Sequence, residues 1–200
     1  MLKTLDTKER LLGATMKLVS EKGYLGATTR KIAQEAGVSE ITLFRHFGSK
    51  EKLFEGMLGQ YTFLPQLKEL RSRLDVLPYE EALCAVATRF LLTLKERKSF
   101  IKIMFSEVNL YPGKIRKVYN NTIDETRATL ADYFLSLQKK GMLRKISPEA
   151  SARTFLSMLV AYFRSEEIMR GLDITKKGKM DREVREIVDI FVHGTLKERE

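Results

Sequence analysis

The chain has 200 residues, 44% of them hydrophobic, with 36 Lys and Arg against 26 Asp and Glu, a formal charge of +10. That suffices for one large domain or two small ones, and the charge suits a polyanionic partner. The single Cys84 excludes an internal disulfide. With no apolar leader core in MLKTLDTKER and no apolar run of the ~18 residues that a membrane span needs, a soluble, cytoplasmic protein is expected.

In chain order, Asp6 with Glu9 reads as a helix start, and Leu11, Leu12, Thr15, Leu18 and Val19 form one stripe that ends at Gly23. Thr28 caps a short helix carrying Ile32, Ala33 and Ala36. Gly37 tolerates the positive φ that a tight turn requires, and Ser39 caps a second short helix holding Leu43 and Phe47. Ala33 is small enough for the two helices to cross closely, with Ile32, Val38 and Leu43 between them. This is the spacing of a helix-turn-helix, whose second helix enters the DNA major groove and makes Ser39 to His46 the reading segment.

Residues 23–54 resemble the DNA-binding domain of TetR-type (tetracycline-repressor-like) bacterial regulators. The pieces that match are Gly23-Tyr24, Thr28 to Ala33, Ala36 to Ser39, and Thr42 to Phe47 followed by Gly48-Ser49-Lys50-Glu51. The resemblance implies that Thr29, Phe44, His46 and Lys50 anchor the DNA backbone. Phe44 stands where the family usually has Tyr, so a phosphate-contacting hydroxyl is absent and the ring can only pack. Thr28 and Arg45 belong to the same matching pieces and are taken with the interface. Thr29, Arg30, Ser39, Glu40, Ile41 and Thr42 should face base edges or nearby phosphates, with Ile41 and Thr42 suited to thymine methyls and Glu40 to a cytosine amino group. Ser49 and Lys50 sit where a helix N-terminus offers free N–H groups to a phosphate.

Beyond the hairpin, Ser49 caps a helix with Leu53, Phe54, Met57, Leu58 and Tyr61, which Pro65 should break or kink. Helices follow over about 78–97 and 99–108, then a break at Tyr111-Pro112-Gly113 and a long helix over 114–140. Ser147-Pro148 opens a helix to about Arg170 that is apolar on more than one side, a Gly- and Lys-rich loop covers 171–182, and a last helix over about 183–197 is striped by Val184, Ile187, Val188 and Phe191, with Val188 and Phe191 expected at the dimer interface.

No His, Cys or acid cluster has metal-ligand spacing, no phosphate loop or nucleophile elbow occurs, and Cys84 sits among apolar neighbours as a core thiol. No enzyme is predicted, and no cofactor. Such regulators usually hold a small-molecule inducer between their later helices. That makes Phe90, Phe100, Met104, Tyr119, Ile123, Phe155, Met158, Leu159 and Tyr162 candidates for an apolar lining, with Arg89, Thr93 and Arg127 as groups that could orient a ligand. Residues 95–117 carry seven Lys and Arg against two acids, an excess that could attract the anionic head of a fatty acid or long-chain acyl thioester.

The expected protein is all-α, with a three-helix DNA-binding domain over residues 1–47, a larger helical effector and dimerisation domain over 48–200, and nine or ten helices. Its expected action is repression from a palindromic operator as a homodimer joined through the last two long helices, with release by a mainly apolar effector. The helix from Ser49 is the expected coupling element. Rival readings are a ligand-independent DNA-binding protein of the same fold and a helical enzyme that uses the cavity.

Overall fold

The structure is a computed structural model that describes residues 6–176 and 178–197. Ten α-helices lie among the described residues, where an isolated antiparallel β-bridge also pairs Leu143 with Leu196. They are α1 (Thr7–Gly26), α2 (Thr29–Glu35), α3 (Glu40–Phe47), α4 (Lys50–Tyr61), α5 (Leu64–Leu74), α6 (Tyr79–Glu96), α7 (Lys98–Glu107), α8 (Gly113–Lys139), α9 (Pro148–Phe163) and α10 (Lys179–Thr195). A single 3₁₀ turn over Val108–Leu110 follows α7, and α9 runs on through a wide π-turn over Arg164–Met169.

The helix starts follow the capping residues. Asp6 and Glu9 form a reciprocal capping box on α1. Thr28, Ser39, Ser49 and Ser147 each accept a backbone N–H from the first turn of the helix they precede, at 3.1–3.3 Å. Proline acts as a starter and not as a kink: α4 stops at Tyr61, and Pro65 lies in the first turn of the new helix α5, where its missing N–H costs nothing.

Two compact units form. The first comprises Met1–Thr62 and Arg97–Thr122, the second Phe63–Glu96 and Ile123–Glu200. The body built around the helix-turn-helix therefore takes in α4, α7 and the start of α8 as well as the first three helices. Its core joins Leu11, Ile32, Leu43 and Phe54 to Phe100, Met104 and Ile115. Burying this apolar surface is the dominant stabilising term. Gly56 lets α4 approach closely: a Cβ there would stand 3.2 Å from Leu12 and 3.3 Å from Phe47.

Gly23 bends α1. With φ +68° and ψ 174° it adopts a conformation open essentially to glycine alone, and Tyr24 then turns into the core against Phe54 and Tyr111, ring centres 5.1 and 5.7 Å apart.

In the second unit, α6, α9 and α10 pack around Phe134, Phe155 and Phe191, the last two with ring centres 4.9 Å apart. Glu167 in the π-turn is buried. It meets the Lys95 ammonium at 2.8 Å and accepts the Ile174 N–H at 3.0 Å, and Lys95 also reaches Asp173 at 2.9 Å. This charge cluster ties the loop after α9 to the end of α6.

Candidate functional site

In the first unit, α3 is amphipathic in the sense a groove-reading helix requires. Leu43 and Phe47 are buried, while Ile41 is 81% exposed, Phe44 is 44% exposed, and Arg45 and His46 point to solvent. The tight turn into α3 uses Gly37 at φ +66°. Ser39 does two things: its hydroxyl accepts the Thr42 N–H at 3.1 Å and lies 2.9 Å from the Thr42 hydroxyl. Thr42 is therefore half-buried and oriented from below.

Thr29 donates its hydroxyl hydrogen to the Glu40 carboxylate across the turn, which brings the first residues of α2 and α3 together. This bond holds Glu40 in place beside Thr29. Thr28 and Arg30 are exposed near the start of α2, and Ser49 is half-buried at the start of α4.

Phe44 is nearly half open, on the same exposed face as Ile41 and Arg45, where its ring is available to the expected interface. One placement differs from the sequence reading: Lys50 turns inward. Its ammonium donates to the Tyr24 carbonyl at 2.6 Å and sits 4.1 Å from the centre of the Tyr24 ring, and burial lowers its pKa although Glu51 opposes the shift. The bend at Gly23 is what presents that carbonyl. A lysine at the start of a helix carries no sign in the sequence that a carbonyl 26 residues earlier will bind it.

The twelve ligand candidates fall in both units. Phe100 and Met104 belong to the core of the first unit, with Tyr119 packed on it. The other nine lie in the second unit. There Phe155 and Leu159 are fully buried and Phe90 packs on Phe63 at 4.8 Å. The Thr93 hydroxyl donates to the Arg89 carbonyl at 2.9 Å, as helix threonines commonly do. Arg89 lies 4.0 Å from Glu96, Arg127 pairs with Asp124 at 3.4 Å, and Ile123 is half-buried.

Tyr162 is more informative, because its hydroxyl is buried with no hydrogen-bond partner among the described residues. Tyr133, absent from the sequence-based candidates, shares this property and is entirely buried, with the Arg71 guanidinium 5.4 Å from its ring centre. A buried hydroxyl without a partner costs free energy that a ligand's polar group can recover. The sequence hint was a tyrosine inside an apolar stripe of α8.

A groove of about 300 Å³ on the second unit is lined by Ile146, Thr154, Met158, Ile190, Phe191 and Gly194 among others. Of the twelve ligand candidates, Met158 alone lines it.

Residues 11–57 match the family described as bacterial regulatory proteins, tetR family, and residues 81–194 match the C-terminal domain of AefR-like transcriptional repressors. An HTH-type transcriptional regulator of Bacillus subtilis (strain 168), YvkB, is 32% identical over 165 residues, covering 78% of this chain and 81% of that protein. Among solved structures, the TetR-family regulator PfmR of Thermus thermophilus superposes with a TM-score of 0.62 at 24% identity over 95% of this chain and all of that one. The Bacillus subtilis regulator FadR, solved in complex with stearoyl-CoA, gives 0.69 at 15% identity over 92% and 97%. The helix-turn-helix geometry and these relatives agree, and the chain belongs to the tetR family of bacterial transcriptional regulators.

Proposed function

We propose that the protein represses transcription in the cytoplasm by occupying a palindromic operator as a homodimer, and that a mainly apolar small molecule releases it. The observation that carries the DNA role is α3 itself: its inner face is committed to the core, and its outer face presents Ile41, Thr42, Phe44, Arg45 and His46 without a covering element among the described residues. Thr42 and Ile41 would meet thymine methyls; Arg30, Arg45, His46 and the Ser49 end of α4 would meet phosphates or base edges. Glu40, held by Thr29, would set the start of α3 and reject phosphate at wrong registers. Lys50 would act by fixing the bend of α1 beneath the reading helix.

The effector would bind in the second unit, where the Tyr133 and Tyr162 hydroxyls are buried without a hydrogen-bond partner among the described residues. The chain passes between the two units at Thr62–Phe63, Glu96–Arg97 and Thr122–Ile123, so three covalent connections can carry a change of state. The helix from Ser49 is one of these routes. Release requires the ligand to bind the non-binding arrangement better than the DNA-bound one.

Because a similar fold has been solved with stearoyl-CoA, that molecule is a concrete first probe. Added to the protein–operator complex, stearoyl-CoA or another long-chain acyl compound should free the DNA, and Tyr133→Phe should shift the concentration needed by about 5–30-fold, as expected for one hydrogen bond to a buried group. Extraction of the purified protein that yields no bound apolar molecule, together with a complex indifferent to acyl chains of every length, would remove the lipid-like effector from the account.

A further inference from the structure

The first unit carries 16 Lys and Arg against 8 Asp and Glu, so +8 of the chain's +10 resides on the body that holds the helix-turn-helix. Residues 97–122 supply a disproportionate part of it, with six Lys and Arg against Glu107 alone. The sequence reading placed this basic run in the effector domain. The fold places it on the DNA-binding body.

Within that run the side chains divide. Arg97 stacks on Tyr61, its guanidinium carbon 5.1 Å from the ring centre. Ile115 faces the core beside Tyr111 and anchors the first turn of α8 there. Lys114, Arg116 and Lys117 flank Ile115, are exposed, and have no hydrogen-bond or ion-pair partner among the described residues.

This edge adjoins the start of α4. The carboxyl of Glu51 is held below its ordinary range by its own backbone N–H and the Ser49 hydroxyl, with the charges of Lys114 and Lys50 adding to the effect. Lys114 is thus a neighbour of the Ser49 end of α4, which belongs to the proposed interface.

The first turn of a helix is the positive end of its dipole and favours acids; α8, like α2, α5 and α7, has none there, and Lys114 and Arg116 stand at that end instead. Among the described residues Lys114 has the Glu51 carboxylate as an electrostatic neighbour, and Arg116 and Lys117 have no hydrogen-bond or ion-pair partner. These exposed cations on the DNA-binding body are therefore open to an anionic partner outside the chain.

We infer that Lys114, Arg116 and Lys117 form a second phosphate-binding edge of the DNA-binding unit, which grips the duplex backbone flanking the operator. This rests on the reading of the protein as a DNA-binding regulator. The edge carries no sequence information; it adds affinity and salt dependence to every duplex.

The test uses the full-length protein and a fluorescent random-sequence duplex of forty base pairs, with affinity followed from 50 to 200 mM NaCl. Neutralising all three (Lys114→Gln, Arg116→Gln, Lys117→Gln) should lower the slope of log affinity against log salt by about 2–3 per protomer. The fall in affinity across that salt range then becomes about 40-fold smaller for three lost contacts. Lys117→Gln alone should give about one third of the slope change, and the charge-preserving exchange Lys114→Arg, Arg116→Lys, Lys117→Arg should restore the wild-type slope. The control removes the same charge from the second unit, through Lys139→Gln, Lys140→Gln and Lys145→Gln, and should leave the slope within about 0.5 of wild type. An equal fall in both triple variants, or in neither, overturns the inference while the DNA-binding reading stands. A wild type whose affinity does not depend on salt overturns both.

Discussion

Gly23→Ala should destabilise the first unit by roughly 2–4 kcal/mol, through two separable causes. The backbone cost comes from φ +68° with ψ 174°, a region essentially closed to residues with a Cβ. The steric cost arises because a Cβ at this position would land on the Glu107 carboxylate at the end of α7. For a chain of this size the midpoint of thermal unfolding should drop by roughly 5–15 °C. Placing the same change in a Glu107→Ala background should return only a few tenths of a kcal/mol of the loss, since the flexible Glu107 carboxylate can swing aside and the backbone term remains. Calorimetry of the four proteins in the cycle measures this coupling, and strict additivity would show that the Glu107 contact costs nothing. DNA affinity should fall with stability, because the bend at Gly23 presents the carbonyl that holds Lys50.

Ile190→Glu should convert the protein to a well-folded monomer and reduce operator affinity by about 10²-fold or more, as the second half-site ceases to be an intramolecular partner. The exposed faces of α9 and α10 lead to this outcome. Ile190 is 65% exposed and lines the same groove as Met158 and Gly194, so an apolar surface is left for a second subunit's α9 and α10 to cover, in a four-helix interface. The apolar stripe of α10 suggested Val188 and Phe191 as interface residues, but both are buried within the subunit, at 0% and 5% exposure. A charge at Val188 would therefore be buried without a partner and should unfold the second unit. Sedimentation with far-UV circular dichroism separates the two outcomes. An Ile190→Glu protein that stays dimeric would move the interface elsewhere.

The contrast between Val188 and Ile190 shows what kind of information the sequence holds. Periodicity reports that one side of α10 is apolar, yet it does not divide that side between the subunit's own core and an outer partner, because both demands select the same residue types. Capping and turn chemistry are local, so Thr28, Gly37, Ser39, Ser49 and Ser147 marked their helix ends correctly. The three-helix start and the amphipathic reading helix were legible for the same reason. What could not be read depends on distant parts of the chain: the inward turn of Lys50 onto Tyr24, the membership of α7 and the first turn of α8 in the DNA-binding body, and the buried Glu167 held by Lys95. Each of these pairs residues separated by tens of positions, for which a single sequence has no periodic or local signal. The ligand candidates illustrate the same limit. Phe100 and Met104 have the apolar character expected of a cavity wall and serve as core in the first unit, whereas the unpartnered hydroxyl of Tyr133 was recognisable only once its surroundings were in place.

The central claim, that α3 reads DNA as one of a symmetric pair, is tested most directly by selecting bound duplexes from a random library with the full-length wild type and with Thr42→Ala. The wild type should enrich an inverted repeat whose half-sites lie in successive major grooves, about 34–36 Å apart, and Thr42→Ala should change the preferred bases within each half-site. Recovery of no common sequence by the wild type, or of an identical repeat by both proteins, would contradict the assignment of α3 as the reading helix.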